Sequence, residues 1–197
     1  MEGYEQRSPD IVRSIRQRWL LSCWTRLRAG RPIPDWSEFD TEQLDSCFDD
    51  LTIVDAEPNG GRLRFRIFTH GKNVGAMYAG QCAGKLLADT LPDETRARTI
   101  ETYERAAQTR LPVFTTSGVV DVKGRTVVCE RLLLPFGHSN LRTIRILALL
   151  ETISPDGFFE RRDLMTGVRA ASDFTVKAVL HTASSRWSDC RLLGDQS

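Results

Sequence analysis

Five cysteines (Cys23, Cys47, Cys82, Cys129 and Cys190) and three histidines (His70, His138 and His181) are the obvious candidates for nucleophilic or metal chemistry in this 197-residue chain. Their spacing argues against both roles. There is no Cys-x-x-Cys pair, and no histidine stands at a metal-ligand interval from a cysteine. Thiols scattered in this way are expected to be free, and several to be buried as small apolar residues in a reducing compartment. A Ser-His-Asp or Cys-His device needs partners brought together by folding, and three dispersed histidines supply few. The segment Gly80 to Gly84 lacks the lysine–hydroxyl ending of a phosphate loop and opens no long helix after a strand. Asp49 and Asp50 precede a strand and are expected to be solvated. The chain is therefore read as a binding protein and not an enzyme.

Composition points the same way. With 41% hydrophobic and 27% charged residues, the chain is an ordinary globular sequence, long enough for one well-buried core. Its 27 basic and 26 acidic residues leave a net charge of +1, which argues against nucleic acid as a partner and against an anionic membrane surface. The polar segment Met1 to Asp10 is not a secretory signal, and the apolar run from Ile144 to Leu150 is too short to span a bilayer. A cytoplasmic location with no membrane partner is expected.

The elements that would position a site follow from periodicity and breakers. Ser8, Pro9 and Asp10 open a predicted amphipathic helix whose stripe runs through Ile11, Ile15, Trp19, Cys23 and Leu27, widened by Val12, Leu20 and Trp24. Arginines fill its other face, and Gly30, Pro32 and Pro34 end it. Arg31 is expected to anchor that loop by pairing with Asp35 or Asp40. A short helical turn is expected within Asp35 to Phe48. Leu51 to Glu57 and Arg62 to Thr69 read as a hairpin around Asn59-Gly60-Gly61, with Leu63, Phe65 and Ile67 facing a core. Small helices are predicted between Gly71 and Gly84, and a longer one over Glu94 to Arg110, ended by Pro112. Gly71 and Gly84 are expected to need unusual backbone angles. Val113 to Val122, Thr126 to Leu134 and Thr143 to Ile153 read as three more strands. From Pro155 onward a loose tail is expected, with one short helix near Asp173 to His181. The order implies an α+β domain: a five-stranded antiparallel sheet with short helices on one face, preceded by an N-terminal amphipathic helix. The expected divisions are 1–34 for the helix and linker, 35–153 for the domain, and 154–197 for the polar tail.

The stretches Trp24 to Asp40, Leu51 to Gly71, Ala83 to Leu91 and Glu130 to Phe136 resemble those of small bacterial stand-alone PAS-domain proteins, with the resemblance covering roughly residues 12 to 153. It implies a PAS-like sensory domain whose cavity lies between the concave sheet face and the small helices. Such domains can carry haem or flavin. The photoreactive branch places a cysteine three residues after a glycine, and here Leu87 stands at that distance from Gly84. His70 is the one histidine in the core region for haem, while the long helix carries Tyr103. The cofactor is left unknown.

Residues expected to line a ligand cavity are Phe65, Ile67, His70, Met77, Tyr78, Leu87, Tyr103, Phe114, Cys129 and Arg131, with Leu86 beside them and His70 or Arg131 as the polar anchor. Ile15, Trp19, Cys23, Trp24 and Leu27 are expected to form a homodimer interface. The resulting expectation is a sensory or regulatory module. It would bind a small molecule or partner protein and signal through contacts with an unidentified signalling protein. The alternative is a ligand-free adaptor or dimerisation module.

Overall fold

In the computed structural model, residues 3–78, 80–138, 143–155, 157–165 and 170–181 are described. In chain order the elements are β1 (Glu5–Arg7), α1 (Ile15–Arg28), β2 (Leu51–Asn59), β3 (Arg62–His70), α2 (Lys72–Met77), α3 (Leu87–Thr90) and α4 (Asp93–Thr109). They are followed by β4 (Val113–Val120), β5 (Thr126–His138), β6 (Thr143–Ile153), α5 (Arg162–Met165) and β7 (Ala170–Leu180). One sheet holds every strand, in the order β1-β7-β4-β5-β6-β2-β3. Five consecutive strands ending at the β3 edge, β4-β5-β6-β2-β3, are the antiparallel set expected from the sequence.

The two strands beyond β4, β7 and β1, differ from the sequence expectation. The segment read as a helix near Asp173 to His181 is strand β7, antiparallel to β4, with Ala178 opposite Phe114 and Val179 opposite Val113. Its residues Val176, Ala178 and Leu180 alternate onto one face of the sheet, a period of two that a helix cannot satisfy. β1 then pairs with β7 in parallel. The expected turn over Ser139 and Asn140, and the tail beyond His181, lie outside the described residues.

Alternation along the strands sends side chains to two separate cores. Leu132, Leu134 and Phe136 of β5 and Leu147 and Leu149 of β6 pack under α1 and the turns that carry Phe39, Leu44 and Cys47. Leu133, Ile146 and Ala148 point the other way, with Val54, Phe65 and Ile67, and are covered by Leu87, Tyr103, Ala106 and Ala107 of α3 and α4. β5 also runs on past Pro135, where the sequence suggested its end. Gly137 N–H, two residues on, donates to Pro34 O at 2.9 Å and so points away from β6. By the same alternation the missing N–H of Pro135 points to that side, beyond the end of β4, and costs no ladder bond.

The N-terminal helix starts later than its composition suggests. The Ser8 hydroxyl caps only a 3₁₀ turn over Pro9–Ile11, Val12 is extended, and Ser14 caps α1 proper by accepting from Gln17 N–H. The buried face is also rotated from the expected stripe, to Gln17, Leu20, Leu21 and Trp24, with Cys23 at its margin. Gln17 causes the shift. It is fully buried, and its amide donates to Glu130 O at 3.0 Å and Leu149 O at 3.3 Å. Nine residues separate Ile15 from Trp24, about half a circle on an α-helix, so Ile15 stands opposite and is 84% exposed.

Two loop expectations change as well. Arg31 pairs with Glu38 and donates to Leu27 O, while Asp35 and Asp40 cap the turns that follow them. Gly71 has an ordinary φ of −79°; it is required because a Cβ there would meet Phe48 O at 1.9 Å. Gly84 keeps its expected left-handed backbone, with φ +82°.

Candidate functional site

The side of the sheet facing α2, α3 and α4 encloses a small hollow of about 10 Å³, bounded by Ile67, His70, Tyr78, Leu87, Tyr103 and Arg131. All six were expected there from the sequence. Thr52, Val74, Cys82, Thr99, Ala148 and Leu150 complete the wall. The volume is that of about one water molecule. A second hollow of about 20 Å³ lies alongside and shares Thr99 and Arg131 with the first.

The remaining expected residues separate. Phe65 is buried against the Tyr103 ring, centroids 5.6 Å apart, and supports the wall from behind. Met77 packs with Val119, Val127, Cys129, Leu150 and Leu164 in a third cluster, and Cys129 lines the second hollow. Phe114 does not belong with them. It pairs with Leu132 on β5, so both point to the α1 face, where Phe114 borders a larger open groove of about 930 Å³. That groove is lined by charged side chains of both signs, among them Arg7, Asp10, Arg13, Glu130 and Lys177. It lacks the enclosure and apolar wall of a small-molecule site.

His70 is committed to backbone. Cys82 N–H donates to its Nε2 at 3.0 Å, and its Nδ1 lies 2.9 Å from Gly71 O. These partners assign the proton to Nδ1 and leave no free imidazole nitrogen toward the hollow. Gly75 leaves room for the ring: a Cβ there would meet His70 Cε1 at 2.9 Å. His70 thus ties the end of β3 to the loop at Gly80–Gly84 and to α2.

Arg131 is the charge at the centre. Its β5 position sends the side chain between the sheet and α4, and among the described residues it has no hydrogen-bond or ion-pair partner. Burial raises the phenols of Tyr78 and Tyr103, and the nearby Arg131 charge draws both back down. The Cys129 thiol is pushed up to about 11 by burial, against the pull of Arg131 and Arg98. Thr99 was missed in the sequence, although a signal was available. Thr95, Thr99, Thr102 and Tyr103 share helical spacing, and all four are buried.

A polar network connects this region to α1. The Asp50 carboxylate, expected to be solvated, is only 5% exposed because two guanidinium groups and one amide converge on it. Arg16 Nη1 donates to Asp50 Oδ2 at 2.9 Å, Asn73 Nδ2 to Oδ1 at 2.8 Å, and Arg161 lies 3.4 Å from Oδ1. Arg16 also grips Glu151 with two nitrogens, at 2.9 and 2.5 Å, and Ser14 donates to the same carboxylate at 2.7 Å. Arg16, from the arginine-rich face of α1, is used here, and Arg64 and Arg66 on β3 both pair with Glu57.

A five-stranded antiparallel core of order β4-β5-β6-β2-β3, with small helices over one face and a flanking helix on the other, is the architecture of a PAS-type module. The PAS domain family model matches residues 12–151, and the chain belongs to that family. PAS domains are sensory and regulatory modules, generally without catalysis of their own. No curated protein gave a significant match. Among the described residues, no helix is long and apolar enough to cross a membrane, and no cluster of His, Cys, Asp or Glu could hold a metal ion.

Proposed function

We propose that this PAS module senses a small molecule held between the sheet and α2–α4, and reports its presence through α2 to the flanking helix α1. The observation that carries this reading is the Asp50 carboxylate, which receives Asn73 from the cavity-wall helix α2 and Arg16 from α1. Val74 and Tyr78 wall the hollow from the same short segment that bears Asn73. A ligand larger than the one-water hollow must push that segment outward, which stretches the bond to Asp50. The signal then leaves through protein–protein contacts of α1. Self-association, if α1 mediates it, uses Ile15 with the half-buried Trp19 and Leu27, because Trp24 and Cys23 are buried against their own sheet.

The small size of the hollow favours a second reading, a ligand-free adaptor whose core is already filled. A screen of neutral and charged fragments by amide NMR separates the two. The sensory reading expects saturable shifts at Ile67, Val74, Leu87, Thr99 and Ala148. Shifts scattered over the surface, or none, would favour the adaptor.

A further inference from the structure

The Arg131 guanidinium is a permanent charge placed where a ligand would sit. Arginine does not lose its proton at any physiological pH, so the charge persists whatever the pocket holds. No carboxylate lines either of the two hollows that Arg131 borders. In the first hollow the hydroxyls around it, those of Thr52, Thr99, Tyr78 and Tyr103, are neutral; Arg98 lines the second, its guanidinium 5.8 Å from the Phe174 ring centroid. Of these hydroxyls, Thr99, Tyr78 and Tyr103 have no hydrogen-bond partner in the protein among the described residues, whereas the Thr95 and Thr102 hydroxyls on the same helix each satisfy a backbone carbonyl. Ile67, Val74, Leu87, Ala148 and Leu150 make the rest of the wall apolar.

Resting on the sensory reading above, the geometry points to an organic monocarboxylate as the ligand, its carboxylate on Arg131 and its hydrocarbon part against Ile67, Val74 and Leu87. One guanidinium with neutral hydroxyls matches a single negative charge, and its fork suits two carboxylate oxygens. A phosphate dianion would need a second cation or a set of backbone N–H groups; the first hollow has no second arginine or lysine, and Arg98 lines only the second, with its guanidinium over the Phe174 ring. The apolar wall excludes small inorganic anions, which would gain nothing from it. The acid also supplies the counter-charge that the half-buried guanidinium lacks.

The test titrates acetate, butyrate and benzoate, each beside its amide (acetamide, butyramide, benzamide), and inorganic phosphate, into 15N-labelled full-length protein. At least one acid is expected to shift the cavity amides and to bind roughly tenfold or more tightly than its amide. Arg131→Gln is expected to reduce that preference to near parity. Arg131→Lys keeps the charge without the fork and is expected to fall between, which retains a readout if the glutamine variant folds poorly. Amides that bind as well as acids, or an acid preference that survives R131Q, would overturn the carboxylate assignment and leave the cavity reading standing. Arg131-dependent binding of phosphate in place of the acids would also overturn it. If neither acids nor amides move the cavity resonances, the sensory reading falls and this inference with it.

Discussion

Asn73 and Arg16 meet on the two oxygens of one buried carboxylate: Asn73 donates to Asp50 Oδ1 at 2.8 Å and Arg16 to Oδ2 at 2.9 Å. The first belongs to the helix that walls the cavity and the second to the flanking helix on the opposite face of the sheet. Asp50 itself sits in the 3₁₀ turn that leads into β2, beside the strand where the two faces are joined. A side chain read from sequence as one of two solvated acids is thus a polar link between the layers.

Replacing Asp50 by Asn should be costly, because Arg16 and Arg161 then lose part of their counter-charge in a nearly closed site. The expected loss is about 3 kcal/mol, the scale for removing one partner of a buried pair. Asn73→Ala removes only a hydrogen bond to a charged acceptor and should cost about 1.5–2 kcal/mol. Urea denaturation at constant m-value reads both. A midpoint unmoved by D50N would show that the network carries no weight.

Glu130 should make the protein more stable in acid than its other carboxylates would suggest. Burial, the largest cause, raises its pKa, Arg13 lowers it, and Glu151 across the strand pair raises it further. The folded carboxyl therefore holds its proton to higher pH than the unfolded one. Its stability contribution is fullest below the unfolded value of about 4.3 and declines as pH rises through the folded pKa. Glu130→Gln should accordingly raise the urea midpoint at pH 7 and give no gain near pH 4. A variant less stable than the parent at pH 7 would reverse the sign.

Trp24 offers a way to tell docking from dimerisation. Its ring is fully buried and its Nε1–H donates to Pro135 O at 2.6 Å. Trp24→Phe keeps most of the apolar surface but strands that carbonyl, at an expected cost of about 1–3 kcal/mol. Trp24→Ala should cost about 3–5 kcal/mol. Both losses should be independent of protein concentration, with the molar mass by light scattering unchanged. A concentration-dependent midpoint would place Trp24 in an interface between copies.

Cys129 should be inert in the folded protein. With its thiol pushed up to about 11 by burial, about one molecule in a thousand carries the thiolate at pH 8. Reaction with Ellman's reagent, mapped by mass spectrometry, should leave Cys129 unlabelled natively and label it promptly in guanidinium. Prompt native labelling would mean that the region around Arg131 opens readily.

Most of the sheet was legible because its strands advertise themselves. Arg62 to Thr69 alternates cleanly, Asn59-Gly60-Gly61 makes the turn, and the apolar run around Ile144 to Leu150 can only be a buried strand. Placing the strands put Ile67 and Arg131 on one face, and the helical spacing of α4 brought Tyr103 over the same hollow. What sequence periodicity could not convey is which apparent exceptions are satisfied by tertiary contacts. Gln17 interrupts an apolar stripe only until its amide is seen to cap two strand carbonyls, and that rotates the buried face of α1 away from Ile15. Phe114 faces α1 and not the cavity, because strand alternation turns it over from Val113, which joins the opposite core. Strand β7 carries its signal in Phe174, Val176, Ala178 and Leu180, but charged and hydroxyl residues between them made the segment read as polar. Its partner residues on β4 lie 50 to 66 positions earlier in the chain.

Amide hydrogen exchange in Asn73→Ala, compared with the parent protein, tests the link between cavity wall and flanking helix most directly. Removing a single uncharged donor from α2 should speed exchange in α2 and, through Asp50 and Arg16, several-fold in the first turns of α1, while β5 and β6 stay protected. Faster exchange confined to α2, with α1 unchanged, would contradict the proposed route from the cavity to the flanking helix.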